Sequence, residues 1–176
     1  MPGAIRPAIF IPVCIILILG FRPQVQAAPQ GGKMELTSPA FKHNDFIPSS
    51  YTCDGQDINP PLGVKGIPSG AKSLALIVDD PDAPAKTWVH WVVCDISVVT
   101  EIKENSIPGT QGINDGQQIG YGGPCPPSGV HRYFIKIYAL DTLLNLQAGV
   151  NKKTLEKAMQ GHILDQAELI GLYKRR

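Results

Sequence analysis

Neither sign of charge predominates in this chain: 16 Lys and Arg stand against 15 Asp and Glu, a formal net charge of +1. Without a basic surplus there is no electrostatic case for nucleic acid as a partner, and the closing Lys174-Arg175-Arg176 reads as a solvated end. Long apolar runs are scarce. The best, Ala8–Leu19, spans 12 residues and contains Pro12, short of the roughly 20 that a bilayer-crossing helix needs. There is no internal repeat, heptad or low-complexity tract. No His-x-x-x-His or Cys-x-x-Cys spacing supports a metal site. No glycine-rich phosphate loop opens a helix, and neither Ser128 nor Cys125 sits in a nucleophile elbow.

What is plentiful is turn chemistry, with 18 glycines and 16 prolines among 176 residues. That length suits one domain with a real core, and the composition favours short strands over helical bundles. Residues 1–27 read as a secretory signal peptide: Arg6 precedes the apolar run, and Val25-Gln26-Ala27 offers small residues for cleavage after Ala27. An uncleaved membrane anchor is the alternative. Cleavage removes Arg6 and Arg22, leaving 14 basic residues against 15 acidic, a net charge of −1. It also removes Cys14. Of the remaining cysteines, Cys94 lies in an apolar run and is expected buried and inert. Cys53 and Cys125 sit in turn-rich polar stretches and are the expected disulfide in an oxidising compartment.

Residues 28–33 read as a flexible leader, with a domain expected over 34–176. Strands are expected to begin at Met34–Leu36 and Leu62–Gly66. Ser73–Val78, apolar at both parities, reads as a central strand covered on both faces. Trp88–Ile96 follows, placing Trp88, His90, Val92, Cys94 and Ile96 on one face by period-two alternation. Glu101–Gln118 is a long polar connection, either functional or loosely ordered. In the strand Tyr133–Leu140, His131 and Tyr133 point the same way. Asn151–Gln160 is the one good helix, capped by Asn151 and stopped by Gly161, and His162–Tyr173 is the last strand. The sum is a mainly β fold of two packed antiparallel sheets, with one peripheral helix near the C-terminus.

Two rigid loops carry the candidate chemistry. One is Asp80-Pro81-Asp82-Ala83-Pro84 running into Trp88-Val89-His90-Trp91. The other is Gly122-Gly123-Pro124-Cys125-Pro126-Pro127 running into His131-Arg132-Tyr133. Each residue has an ordinary explanation, since aspartate beside proline is common turn chemistry and a strand histidine is usually a hydrogen-bonded core residue. Together they suit an anion or small-molecule pocket, with histidines and Tyr133 as donors, backbone amides assisting and aromatics as walls.

These two motifs, with Tyr51-Thr52-Cys53-Asp54-Gly55 and Asn59-Pro60-Pro61-Leu62, resemble the phosphatidylethanolamine-binding protein family, in its bacterial and archaeal Raf-kinase-inhibitor-like branch. The resemblance covers Met34–Arg176. It implies a central antiparallel sheet packed on a smaller one, and an anion pocket using Asp80, Asp82, His90, His131 and Tyr133. Where eukaryotic members have Gly-x-Pro-Pro, this chain has Cys125-Pro126-Pro127, a cysteine standing for the glycine, and Pro126 is carried over as a binding position.

The expectation is a periplasmic or secreted binding protein rather than an enzyme, needing no cofactor or metal. Its partner is a small anionic ligand or a phospholipid head group. His90 and His131 donate to the anion, Asp80 and Asp82 orient the histidines and raise their pKa, and Trp88 and Tyr133 form the wall. Two other readings stay open. One is a protein-interaction module that inhibits a protease or kinase-like partner through Asp45–Pro61 and Glu101–Gln118. The other is a metal-dependent hydrolase. A homodimer also stays open.

Overall fold

The computed structural model describes Met1 and residues 32–175; the expected signal peptide, the leader through residue 31 and Arg176 lie outside the described residues. The strands are β1 (Glu35–Thr37), β2 (Leu62–Lys65), β3 (Ser73–Asp80), β4 (Trp88–Ile96), β5 (Glu101–Ile102), β6 (Thr110–Gln111), β7 (His131–Leu140) and β8 (Ile163–Tyr173). Among the described residues one α-helix, α1 (Lys152–Met159), precedes β8, and a short 3-10 turn spans Ser49–Tyr51. They form a three-stranded sheet ordered β1-β2-β5 and a five-stranded sheet ordered β6-β4-β3-β7-β8, with antiparallel pairing throughout.

The double apolar parity of β3 has a direct cause. Leu74, Leu76 and Val78 face the small sheet, meeting Leu36, Leu62, Val64 and Ile102. Ala75 and Ile77 face the opposite way, into a second cluster with Val92, Cys94, Leu155 and Met159 under α1. Every residue of β3 is buried, because a strand between two apolar layers has no solvent side. The helix begins where Asn151 Oδ1 accepts the Thr154 N–H at 2.9 Å, as the capping reading expected.

Strand β4 departs from simple alternation. Its register against β3 shifts between Val78↔Trp91 and Asp79↔Val89, which makes His90 the extra residue of a β-bulge. A second shift separates Leu74↔Ile96 from Leu76↔Val93, where Asp95 has a φ of 53°. The face predicted to carry His90, Val92, Cys94 and Ile96 together is therefore split. Val92 and Cys94 join the layer under the helix, while Ile96 joins Trp91 and Val93 between the sheets. Each inserted residue resets the parity and re-aims its side chain.

The connection Glu101–Gln118 is ordered, and it contributes β5 and β6. The Gly112 and Asp115 N–H groups donate to the Val92 and Val89 carbonyls at 2.7 and 2.9 Å. An Ile113↔Ile119 bridge closes it over the end of β4.

Candidate functional site

The ends of β3, β4 and β7 meet at one edge of the large sheet, and a cleft of about 420 Å³ opens there. Asp80 closes β3 and is 3% exposed, and His131 opens β7 at 7%. Their pairing is direct: His131 Nδ1 donates to Asp80 Oδ2 at 2.7 Å. The other Asp80 oxygen accepts the Asp82 backbone N–H at 2.8 Å, the tight turn that Pro81 enforces. Asp80 is thus bonded through both oxygens and aimed at a histidine.

His90 is oriented differently from the expectation. Its Nδ1 donates to the Gly122 carbonyl at 2.7 Å, while the Gly122 N–H donates back to the His90 carbonyl at 3.0 Å. A backbone carbonyl, not Asp82, fixes this ring. Its edge meets the Tyr133 ring with centroids 5.2 Å apart. Burial lowers the His90 pKa from the ordinary 6.5 and outweighs the Gly122 carbonyl and Asp80, which favour the charged ring. The expectation that carboxylates raise both histidine pKa values is corrected at His90, because the nearest acceptor is uncharged and the desolvation is large.

Asp82 does not orient a histidine. It grips Arg132, accepting from Nε at 2.9 Å, from Nη2 at 2.7 Å and from the backbone N–H at 2.9 Å. The Arg132 guanidinium holds the Asp82 carboxyl well below its ordinary range, at about 2. The motif's second aspartate therefore ties the turn after β3 to the start of β7.

Trp88 and Pro126 line the cleft, as do both Cys53 and Cys125. The expected disulfide joins these cysteines across 72 positions of sequence, with Cα atoms 5.5 Å apart. Cys94 is buried, and burial pushes its thiol up to about 11. His131 and Tyr133 are set deeper. His131 reaches the cleft through Asp80, and Tyr133 lines a small internal cavity with Trp91, Tyr121 and Pro124. Among the described residues the buried Tyr133 hydroxyl has no partner in good hydrogen-bond geometry, and burial with the Asp80 charge raises its pKa over the opposing pull of the Cys125 backbone N–H.

Sequence reasoning missed Asp57 and Asn114. Asp57, at φ 57°, lines the cleft and accepts the Gly123 N–H through Oδ1 at 2.6 Å. Asn114 is 5% exposed and anchors the opposite wall, donating to the Gly120 carbonyl at 3.2 Å and accepting the Gln118 N–H at 3.1 Å. The available signal was an acidic or amide residue near glycine, which reads equally well as plain turn chemistry. Among the described residues, no group of three or more His, Cys, Asp and Glu side chains converges to hold a metal ion.

Comparison with known proteins gives a consistent result. A family model for phosphatidylethanolamine-binding protein matches residues 37–174. A UPF0098 protein of Methanothermobacter thermautotrophicus is 52% identical over 150 residues, covering 81% of this chain and 99% of that one. A UPF0098 protein of Pyrococcus horikoshii is 45% identical, covering 100% of this chain and 93% of that one. The crystal structure of a putative phosphatidylethanolamine-binding protein homologue from Chlamydia trachomatis superposes with a TM-score of 0.79 at 44% identity, over 82% of this chain and 99% of that one. YbcL of Escherichia coli gives 0.76 at 29% identity, over 82% and 100%.

Proposed function

Because this chain belongs to the phosphatidylethanolamine-binding protein family, we propose that it is an exported, non-catalytic binding protein whose cleft seats the phosphate or carboxylate of a small ligand. The observation that carries this reading is the buried Asp80–His131 pair beside His90. Both rings have Nδ1 engaged, His131 on Asp80 and His90 on the Gly122 carbonyl. That fixes each ring and leaves Nε2 as the nitrogen that donates to an anion once the ring is protonated. A pre-oriented donor loses little entropy when the ligand arrives. Trp88 and Pro126 supply apolar contact for whatever the anion is attached to.

Calorimetry with inorganic phosphate and phosphorylethanolamine tests the site. His131→Ala and Asp80→Asn should each weaken binding roughly tenfold to a hundredfold, the equivalent of losing a charged hydrogen bond of about 1.5–3 kcal/mol. Asp82→Asn, which removes an exposed grip on Arg132, should change affinity less than about threefold. Unchanged affinity in His131→Ala defeats the assignment. Capture of a protein partner without phosphate affinity would favour the interaction-module reading. Release of product from a phosphodiester ligand would instead make the protein an enzyme. Export is checked by the N-terminus of the protein isolated from its host, expected at Ala28.

A further inference from the structure

We propose that the Cys53–Cys125 bond is a redox-modification site, at which thiol–disulfide exchange with a dithiol sets the geometry of the cleft. Two separate observations carry it. The first is position: both half-cystines are exposed and both line the cleft. An exposed bridge is open to an attacking thiolate, whereas a bridge that only staples a fold is usually shielded. The two apolar clusters of this fold contain neither residue.

The second observation is connectivity. The bond lies on a chain of contacts that runs from one site histidine to the other. His90 donates to the Gly122 carbonyl, and Gly122 opens the segment that reaches Cys125. Cys125 is bonded to Cys53, and the next residue, Asp54, accepts the Tyr173 hydroxyl at 2.8 Å and Arg175 Nε at 3.0 Å. Tyr173 is the cross-strand partner of His131. Opening the bond therefore loosens the wall on which both rings depend.

The surrounding contacts define what would move. Three hydrogen bonds also join the two loops: Cys53 N–H to the Pro124 carbonyl at 3.2 Å, Gly123 N–H to Asp57 at 2.6 Å, and the Tyr121 hydroxyl to the Tyr51 carbonyl at 2.7 Å. All of them stop at Pro124. Among the described residues, no hydrogen bond joins residues 125–130 to the loop over 49–57. Pro126 and Pro127 bring no N–H to make one. The sulfur bridge is the tie that holds the rim from Cys125 to Val130 against the facing loop.

The chemistry balances as ordinary exchange. A thiolate of the external dithiol attacks one bridge sulfur, forming a mixed disulfide and expelling the other cysteine as a thiolate that takes up a proton. The second thiol of the reagent then closes its own disulfide and releases the first cysteine. Two electrons and two protons enter the protein, and the dithiol leaves oxidised. Cys94 stays outside the exchange because it is buried.

The consequence for anion affinity rests on the binding role proposed above, so the test reads the site in two ways. Histidine imidazole NMR resonances are recorded for the full chain oxidised, after dithiothreitol, after reoxidation, and as the Cys53→Ser/Cys125→Ser variant, with thiols counted each time. The His90 and His131 signals should move on reduction, return on reoxidation and be shifted permanently in the variant. Those of His162, paired with Asp141 beyond the far end of β8, should stay. Inorganic phosphate affinity in the same samples should fall at least tenfold on reduction. The proposal is overturned if the bridge resists dithiothreitol in the native protein. It is equally overturned if two new thiols appear with all histidine signals unmoved, or if reduction unfolds the chain and makes the bond a fold staple. If the oxidised chain binds no phosphate while His90 and His131 still respond, the binding role fails and the redox site stands.

Discussion

His90 sits in a bulge with its ring against Tyr133, and burial makes its charged form less favourable than in water. The sign of the pH effect follows. An unfolded chain protonates this ring near the ordinary 6.5, while the folded chain takes the proton at lower pH. His90's contribution to stability is therefore complete above about pH 6.5 and declines as pH falls below it. An anion at Nε2 reverses the preference, since its charge raises the ring's pKa in the complex. Binding then takes up a proton, and affinity for a phosphodiester of constant charge should tighten between about pH 8 and about pH 6, and further below. Titration calorimetry in two buffers of different ionisation enthalpy measures that uptake, and zero uptake removes His90 from the anion contact. The Asp82–Arg132 grip responds elsewhere. Its carboxyl, held at about 2, keeps its contribution above the ordinary 3.8 and loses it as pH falls towards 2.

The element that shapes the cleft is the loop from Gly122 to Pro127, and Gly123 is its tightest point. A Cβ there would lie 2.5 Å from Asp57 Oδ1, 2.7 Å from the Tyr51 carbonyl oxygen and 2.8 Å from Thr52 Cα. Two of those three atoms are backbone, so the strain cannot be relieved by rotating one side chain. Gly123→Ala should push the loop off the Asp57 turn, lower stability by about 1–3 kcal/mol in urea denaturation, and weaken phosphate binding. Full retention of both would mean that the two loops tolerate separation. The long connection 101–118 belongs at the same scale. Read as polar sequence it had no regular period, yet it supplies β5, β6 and one cleft wall through Asn114. Strands of two residues leave no period to detect, and they are defined by the neighbour they pair with.

The molecule as a whole is a sheet covered on both faces, by the small sheet on one and by α1 on the other. The helix matters because it closes the second layer: Leu155 is fully buried there and Met159 is 2% exposed. Leu155→Ala should cost about 2–5 kcal/mol by leaving a cavity under the helix. Thermal and urea unfolding check this, and a loss below about 1 kcal/mol would show that the layer closes without the helix. By itself the sequence determined the antiparallel class, the capped helix and the covered strand β3, and it offered Cys53 and Cys125 as the expected pair that the structure joins. Each of these follows from short-range facts: side-chain period, turn residues and the arithmetic of few cysteines. It also singled out the two rigid loops that carry Asp80, Asp82, His90, His131 and Tyr133; of these, Asp80 and His90 line the cleft, while Tyr133 lines an internal cavity. Only the tertiary structure decided the rest. The bulge at His90 is a property of the register between two strands, and neither strand encodes it alone. Asp82 holds Arg132 rather than a histidine, and Asp57 and Asn114 become cleft walls, because long-range packing chooses each polar group's partner from residues far apart in the chain.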